Sequence, residues 1–286
     1  MLAIVGFIVV AVSVIGGFLM EGGQLLVLFQ PAEFVIIGGA ALGSLLVASP
    51  MKIVKMMISQ ILGTLGSPPS KEQYTSLLVM LYEVFQAARK DGLVAMEAHV
   101  EKPEESSILK KYPDFLADHH LLNFFVDTMR LILSGGVPAH DLEALIDNDL
   151  DTHHEEEAKS PAEVNRIGDS LPGLGIVAAV LGVILTMGAI GGPPEIIGHK
   201  VGAALVGTFL GVLLAYGFVS PLAMNMTHQN AERAKKYMVI KQALLGFHKG
   251  MAPSIAVEFA RRSISSDVRP GFVELEDACK ATRERS

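Results

Sequence analysis

Apolar and polar positions divide this chain into two textures. Four stretches are apolar on every helical face, and the segments between them carry apolar residues only at helical spacing. Leu2–Met20 and Phe34–Met51 hold no charge. Neither does the chain between Asp169 and Glu195, which contains LPGLGIVAAVLGVILTMG, or between Lys200 and Glu232, which contains VGAALVGTFLGVLLAYGFVSPLA. About 20 such residues cross the roughly 30 Å of bilayer hydrocarbon as a helix, so four membrane spans are predicted.

The intervening segments read as amphipathic helices. Ser70-Lys-Glu-Gln73 has the form of a capping box, and Leu77, Leu78, Leu81, Val84, Phe85 and Ala88 come after it at helical spacing until Asp91-Gly92 ends the element. A second helix is expected over Glu104–Ser134, stopped by Gly135-Gly136. A third follows Pro138, with Leu142, Leu145, Ile146 and Leu150 on one side. Met224–Lys249 predicts a helix continuing out of the last span. Pro253 opens another, with Ile255, Val257, Phe259 and Ala260 inward. No stretch sustains a two-residue alternation, so the fold is predicted all-α. The expected organisation is a first pair of spans over 1–50, a helical cytoplasmic domain over 51–169, a second pair over 170–222 and cytoplasmic C-terminal helices over 223–286.

Charge sets the orientation. Of the 23 Lys and Arg, only Lys200 lies outside 51–169 and 222–286, and the turn Glu21–Glu33 has none. Under the positive-inside rule both large segments and both termini are cytoplasmic, and both short turns face outward. Half of the residues are apolar and 19% are charged, a balance suited to a chain part membrane, part water-soluble. A formal charge of −7 argues against nucleic acid as a partner. Cys279 is the one cysteine, so a disulfide within the chain and a thiolate metal cluster are excluded. The first span lacks the basic start and cleavage site of a signal peptide and is read as a helix.

Small residues are patterned within the last two spans. Gly175, Ala178, Ala179 and Gly182 share one face of the third, and Ala203, Gly207, Gly211 and Ala215 recur every four residues on the fourth. Such stripes let helix backbones approach in lipid. They fit packing within one subunit and equally a face toward a channel or partner helix. Thr208 sits beside the Gly207/Gly211 face; a lone membrane threonine ordinarily bonds the carbonyl four residues back in its own helix, and Ser13, Ser44 and Thr186 are open to that role too. Glu33, two residues after Pro31, is placed to favour the dipole at the start of the second span, a structural role. Pro172 and Pro221 mark the cytoplasmic ends of the third and fourth spans, where each starts or kinks a helix and frees carbonyls. No Asp, Glu, Lys, Arg or His falls in the middle of a predicted span. An ion carrier needs such a group, so a different polypeptide must supply the carboxylate if this chain moves ions.

LPGLGIVAAVLG with GTFLG and SPLA, QPAEFVIIGGA in the second span and VEFARR…RPGFVELE near the end strongly resemble the MotA family across essentially the whole chain. These are the ion-channel subunits of the bacterial flagellar stator, which converts ion flow into torque. The resemblance implies a homopentamer around two MotB-type helices, whose aspartate carries the ion, in the inner membrane. It assigns Thr208 to the ion path, Pro172 and Pro221 to conformational coupling, and Arg89 and Glu97 to contact with the rotor switch protein FliG. Sodium-driven relatives carry a threonine where this chain has Ala179. A sodium ion needs several oxygen ligands, so the methyl points to a proton as the transported ion. No cofactor and no catalysis are implied.

Other readings find less support. The run Asp151-Thr-His153-His154-Glu155-Glu-Glu157 has metal-ligand residue types, but adjacent helical side chains point about 100° apart. No H-E-x-x-H spacing is present, so it reads as a solvated acidic helix end. There is no Walker loop, G-x-S-x-G elbow or dinucleotide fingerprint, which leaves an enzyme without a basis. The nearer alternative is an energiser of the ExbB/TolQ type, acting on the outer membrane. The two N-terminal spans argue against its three-span plan.

Overall fold

The computed structural model describes residues 2–66 and 68–283, and every regular element among them is helical. In chain order these are α1 (Leu2–Met20), α2 (Leu25–Leu28), α3 (Pro31–Ala48), α4 (Met51–Gly63), α5 (Lys71–Asp91), α6 (Leu93–Glu101), α7 (Pro113–Ala117) and α8 (His119–Ser134). Then come α9 (Ala139–Met187), α10 (Pro194–Leu213), a π-helical turn (Leu214–Val219), α11 (Ser220–His248), α12 (Pro253–Arg262) and α13 (Phe272–Arg283). Four helical segments are long and apolar enough to cross a membrane: Leu2–Met20, Leu25–Ala48, and parts of Ala139–Met187 and Pro194–His248. The all-α fold with four spans therefore stands.

The chain divides into two compact units, Met1–Ser67 with Glu156–Asn230 and Pro68–Glu155 with Ala231–Ser286. These divisions fall after residues 67, 155 and 230 rather than at 50/51, 169/170 and 222/223, so the first unit takes in part of the segments flanking the spans. The reason is α4: its Val54 and Met57 bury themselves with Leu45, Val164, Ala223 and Met226, a core that continues from the span helices. Polar clips reinforce it. Asn230 Nδ2 donates to Gln60 Oε1 and to the Glu157 carbonyl, both at 3.2 Å, and Gln229 Nε2 donates to the Thr64 carbonyl at 3.0 Å.

The second unit has a single large core. Tyr74, Leu78, Met80, Leu81 and Phe85 of α5 pack with Phe125 and Met129 of α8, Ile240, Ala243 and Leu244 of α11, and Ala256, Val257 and Ala260 of α12. Phe85 and Phe247 stack with centroids 4.6 Å apart. The capping box forms as expected: Gln73 N donates to Ser70 Oγ at 3.4 Å, and Ser70 N to Gln73 Oε1 at 3.2 Å. Gly92 then ends α5 with φ +87°, which an L side chain rarely adopts.

Three expectations are corrected. The helix over Glu104–Ser134 is broken; α6 precedes it and two 3₁₀ turns and α7 interrupt it. Pro103 and Pro113 each open a short turn, and the Asp118 carboxylate accepts from Leu121 N at 3.2 Å, so the long helix starts only at His119. Leu142 and Ile146 of α9 are fully buried, but Leu145 is exposed. In α12 Val257 and Ala260 face inward as expected, joined by Ala256, while Ile255 and Phe259 are exposed.

The string VEFARR…RPGFVELE has a concrete use within this unit. Glu258 accepts from Arg261 at 2.7 and 2.8 Å and from Arg262 at 2.9 Å, and Arg261 Nη1 donates to the Pro270 carbonyl at 2.9 Å. Arg261 thus ties α12 to the start of RPGFVELE. These hydrogen bonds, chiefly from Arg261, hold the Glu258 carboxyl down at about 2 against the opposing effect of burial. Lys71 closes the far end on Glu274 at 2.6 Å.

Candidate functional site

The first unit is built around one close seam between α9 and α10. A Cβ placed on Gly211 would lie 2.5 Å from the Leu171 carbonyl oxygen and 2.9 Å from Gly175 Cα. One on Gly175 would lie 2.6 Å from the Gly207 carbonyl oxygen. One on Gly182 would lie 2.6 Å from Ala204 Cβ. The facing stripes are therefore used against each other, helix to helix, from Gly182 down to Gly175. The fourth-span partner of Gly182 is Ala204 rather than Ala203, a neighbour the four-residue repeat passes over. Ile37 and Ala41 of α3 close the third side with Leu171, Ala178, Val206, Leu210 and Ala215.

Polar groups at this seam are few and unusually placed. Thr186 does what a membrane threonine ordinarily does, donating to the Gly182 carbonyl at 2.8 Å. Thr208 does not: the half-buried hydroxyl makes no hydrogen bond among the described residues, which sets aside the expected bond to its own helix. Ser13 and Ser44 are exposed and likewise unbonded among the described residues. Ala179 lies half-buried at the same level, since a Cβ on Gly207 would come within 3.1 Å of its nitrogen and 3.0 Å of Ala178 Cβ. Ala179 thus lies across the seam from Gly207, and Thr208 is the next residue along α10.

Glu33 is the residue that the pattern of charges undervalued. The second span starts at Leu25, because α2 extends the apolar segment past the break at Phe29-Gln30, and this puts Glu33 inside it. It lies in the first turn of α3 as expected, but its side chain is not at a solvated helix end. It is 7% exposed, its Oε2 has no hydrogen-bond partner, and that oxygen would be 2.6 Å from a Cβ on Gly207. The expected place near the start of the second helix holds, but with the span beginning at Leu25 the buried Glu33 carboxyl lies within it. The signal available was Gln30-Pro31, which breaks a longer apolar run rather than beginning one.

The two prolines share one crossing. Pro172 lies inside α9, where it cannot donate to the Gly168 carbonyl four residues back. A Cβ on Gly168 would meet Ser220 Oγ at 2.8 Å, and Ser220 precedes Pro221. Upstream of Pro221 the helix opens into the π-helical turn, and Ser220 N donates to the Ala215 carbonyl, five residues back. Neither proline ends its helix: both helical segments continue through.

Over 4–92 the sequence matches a family model described as motility protein A N-terminal, and over 117–239 one described as the MotA/TolQ/ExbB proton channel family. It is 44% identical to motility protein A of Salmonella typhimurium over 285 residues, covering 99% of this chain and 96% of that one. Identity to motility protein A of Escherichia coli K12 is also 44%, again over 99% of this chain and 96% of the relative. The chain belongs to the motility protein A family. Chemotaxis protein LafT of Vibrio parahaemolyticus is 35% identical over 95% of both chains. The fold matches a chain of Campylobacter jejuni MotAB with a TM-score of 0.75 at 21% identity, over 93% of this chain and 96% of that one. It also matches the Bacillus subtilis flagellar MotAB stator complex with a TM-score of 0.71 at 22% identity, over 90% and 92%.

In this family member Arg89 and Glu97 lie on α5 and α6, either side of Gly92, and both are exposed without an ion pair among the described residues. Exposed Leu93 and Val94 stand between them. His153 is less solvated than the acidic run suggests. Its ring packs on Tyr237 with centroids 4.7 Å apart and reaches the Tyr237 hydroxyl at 3.4 Å.

Proposed function

We propose that this chain is the ion-channel subunit of a flagellar stator, embedded by its four spans in the inner membrane with both termini in the cytoplasm. It assembles as a ring, a pentamer by resemblance, around a dimer of a MotB-type protein whose aspartate binds the transported ion. The ion is a proton, and its flow drives torque on FliG. The level of Gly207 carries the reading. There Gly207 lies against Ala178 and Ala179 on backbones too close for any side chain between them, and the next residue, Thr208, carries a hydroxyl unbonded among the described residues. The Ala179 methyl offers no oxygen where a sodium ion would need several ligands, which suits proton passage.

Pro172 and Pro221 act as the coupling element. Each removes a backbone donor at the shared crossing, and the π-helical turn beside Pro221 is a ladder already shifted by one residue. Moving that shift along the helix rotates the downstream segment without breaking the helix. Arg89 and Glu97 act on the rotor through charge complementarity, which sets register more than affinity. No chemical transformation is part of this function.

The test is motor speed in cells lacking their own subunit and supplied with this chain and its MotB-type partner. Speed is expected to follow proton motive force and to ignore external sodium. Speed rising with sodium at fixed pH and membrane potential contradicts the proton assignment. An outer-membrane energy-transduction phenotype rescued with no motility would favour the ExbB/TolQ alternative.

A further inference from the structure

A carboxyl buried without a partner inside a membrane span is either a packing accident or a proton site. Glu33 is 7% exposed, and its Oε2 has neither a hydrogen bond nor an ion pair among the described residues. It is wedged against Gly207 of α10, at the level of Ala178 and Ala179 of α9. Gly207 is the enabling residue, since a methyl there would stand 2.6 Å from Oε2. The next residue, Thr208, brings the second unbonded polar group of this seam. Two unsatisfied polar side chains on neighbouring helices, at a level where the backbones approach closely, are costly to keep in lipid without a function.

The charged and titratable groups on the elements packed here are distant along their helices. On α10 the nearest is Lys200, seven residues or about 10 Å along the axis from Gly207, with His199 and Glu195 beyond it. On α9 it is Asp169, nine residues or about 13 Å from Ala178. On α2 and α3 there is no other. No neighbouring cation is placed to hold Glu33 as a carboxylate.

We propose that Glu33 is a second proton-binding site of the ion route, carried by this subunit itself and distinct from the partner's carboxylate. The inference rests on the stator reading above. In the packed state Glu33 holds the proton as a neutral acid, because an unpaired carboxylate in this seam would be far more costly. During turnover the O–H bond breaks, Glu33 becomes a carboxylate, and the proton passes through water to the partner's carboxylate, which becomes the acid. A proton from the outer side then restores Glu33. One proton enters and one leaves, with no other reactant. Thr208 is the hydroxyl positioned to order that water.

The test uses the full complex with its MotB-type partner, in liposomes loaded with a pH-sensitive dye under an imposed proton gradient. Glu33→Gln keeps size and neutral hydrogen bonding but cannot titrate. It is expected to lower proton flux by about tenfold or more with co-purification of the partner unchanged, whereas Glu33→Asp keeps flux within about threefold. In infrared difference spectra between low and high pH, the wild-type complex should show a carboxylic-acid carbonyl band that Glu33→Gln lacks and Glu33→Asp shifts. Flux through Glu33→Gln at the wild-type level overturns the proposal. So does a difference spectrum identical in wild type and Glu33→Asp, which decides the matter even if Glu33→Gln fails to assemble. A wild-type complex that conducts no protons overturns the stator reading instead, and the infrared comparison then judges Glu33 alone.

Discussion

In the first unit backbones meet backbones at Gly175, Gly207 and Gly211, whereas in the second Phe85, Phe125 and Met129 fill the space between helices. The difference comes from the solvent. In water, burying large apolar side chains drives association. In lipid those side chains gain nothing by leaving the tails, so helices associate through close fit, and small residues supply it. Polar chemistry divides the same way. The second unit pairs the charges held within its fold, as in Glu258 with Arg261 and the buried Lys241 with Asp147. The first leaves Glu33 Oε2 and the Thr208 hydroxyl without partners. A region that leaves such groups unsatisfied gives up stability, and the transport role proposed for them would account for the loss.

The sharpest way to break the contrast is Gly211→Leu. Its side chain would begin 2.5 Å from the Leu171 carbonyl oxygen and 2.9 Å from Gly175 Cα, positions of backbone that cannot step aside. Loss of membrane assembly and of motility is expected, read by co-purification with the partner and by swimming. A Gly202→Leu control, where a Cβ meets nothing within 4 Å, should assemble.

The second unit should respond to the opposite change. Phe85→Ala removes a fully buried ring stacked on Phe247 and should cost about 3–5 kcal/mol, read by thermal or denaturant unfolding of the second unit's signal in the full-length protein. A gentler probe there is Glu258→Gln, expected to destabilise by about 1–3 kcal/mol through the loss of charge-assisted bonds to Arg261. The sign with pH is fixed by the depressed carboxyl. The wild-type contribution is complete above the ordinary value of 4.5 and is lost as pH falls toward about 2, so wild type and Glu258→Gln should converge in stability on acidification. Convergence at alkaline pH instead would contradict the assignment.

The smallest effect on stability is expected at Arg89, an exposed side chain without an ion pair among the described residues. Arg89→Glu should change unfolding by less than about 0.5 kcal/mol, yet impair swimming more than Arg89→Ala does. A compensating charge reversal on the rotor protein should restore part of the loss. If no rotor reversal rescues Arg89→Glu or Glu97→Lys, the electrostatic contact is wrong.

The two units were also unequally legible. Span number, the α5 capping box and the stop at Gly92 are set by local patterns, and all three are present. The small-residue stripes were visible, but their direction was not, because periodicity gives a face and never names its neighbour. Glu33 reads as a helix-start residue because Pro31 ordinarily opens a helix, and it does lie in the first turn of α3; its burial against Gly207 is what the pattern does not give. That α2 continues the span beyond it depends on two residues of irregular backbone that no periodicity marks. The fragmentation ahead of α8 is hard to read for a related reason: Pro103, Pro113 and the Asp118 cap act singly, within a stretch whose apolar spacing is helical.

If this chain forms a proton route completed by another polypeptide's carboxylate, proton uptake into cells or vesicles depends on that carboxylate. Three conditions decide it: this chain with an intact MotB-type partner, with a partner whose membrane aspartate is replaced by asparagine, and without a partner. Internal acidification under an imposed proton gradient should occur in the first condition only. Equal acidification with the asparagine-bearing partner, or with none, would contradict the account.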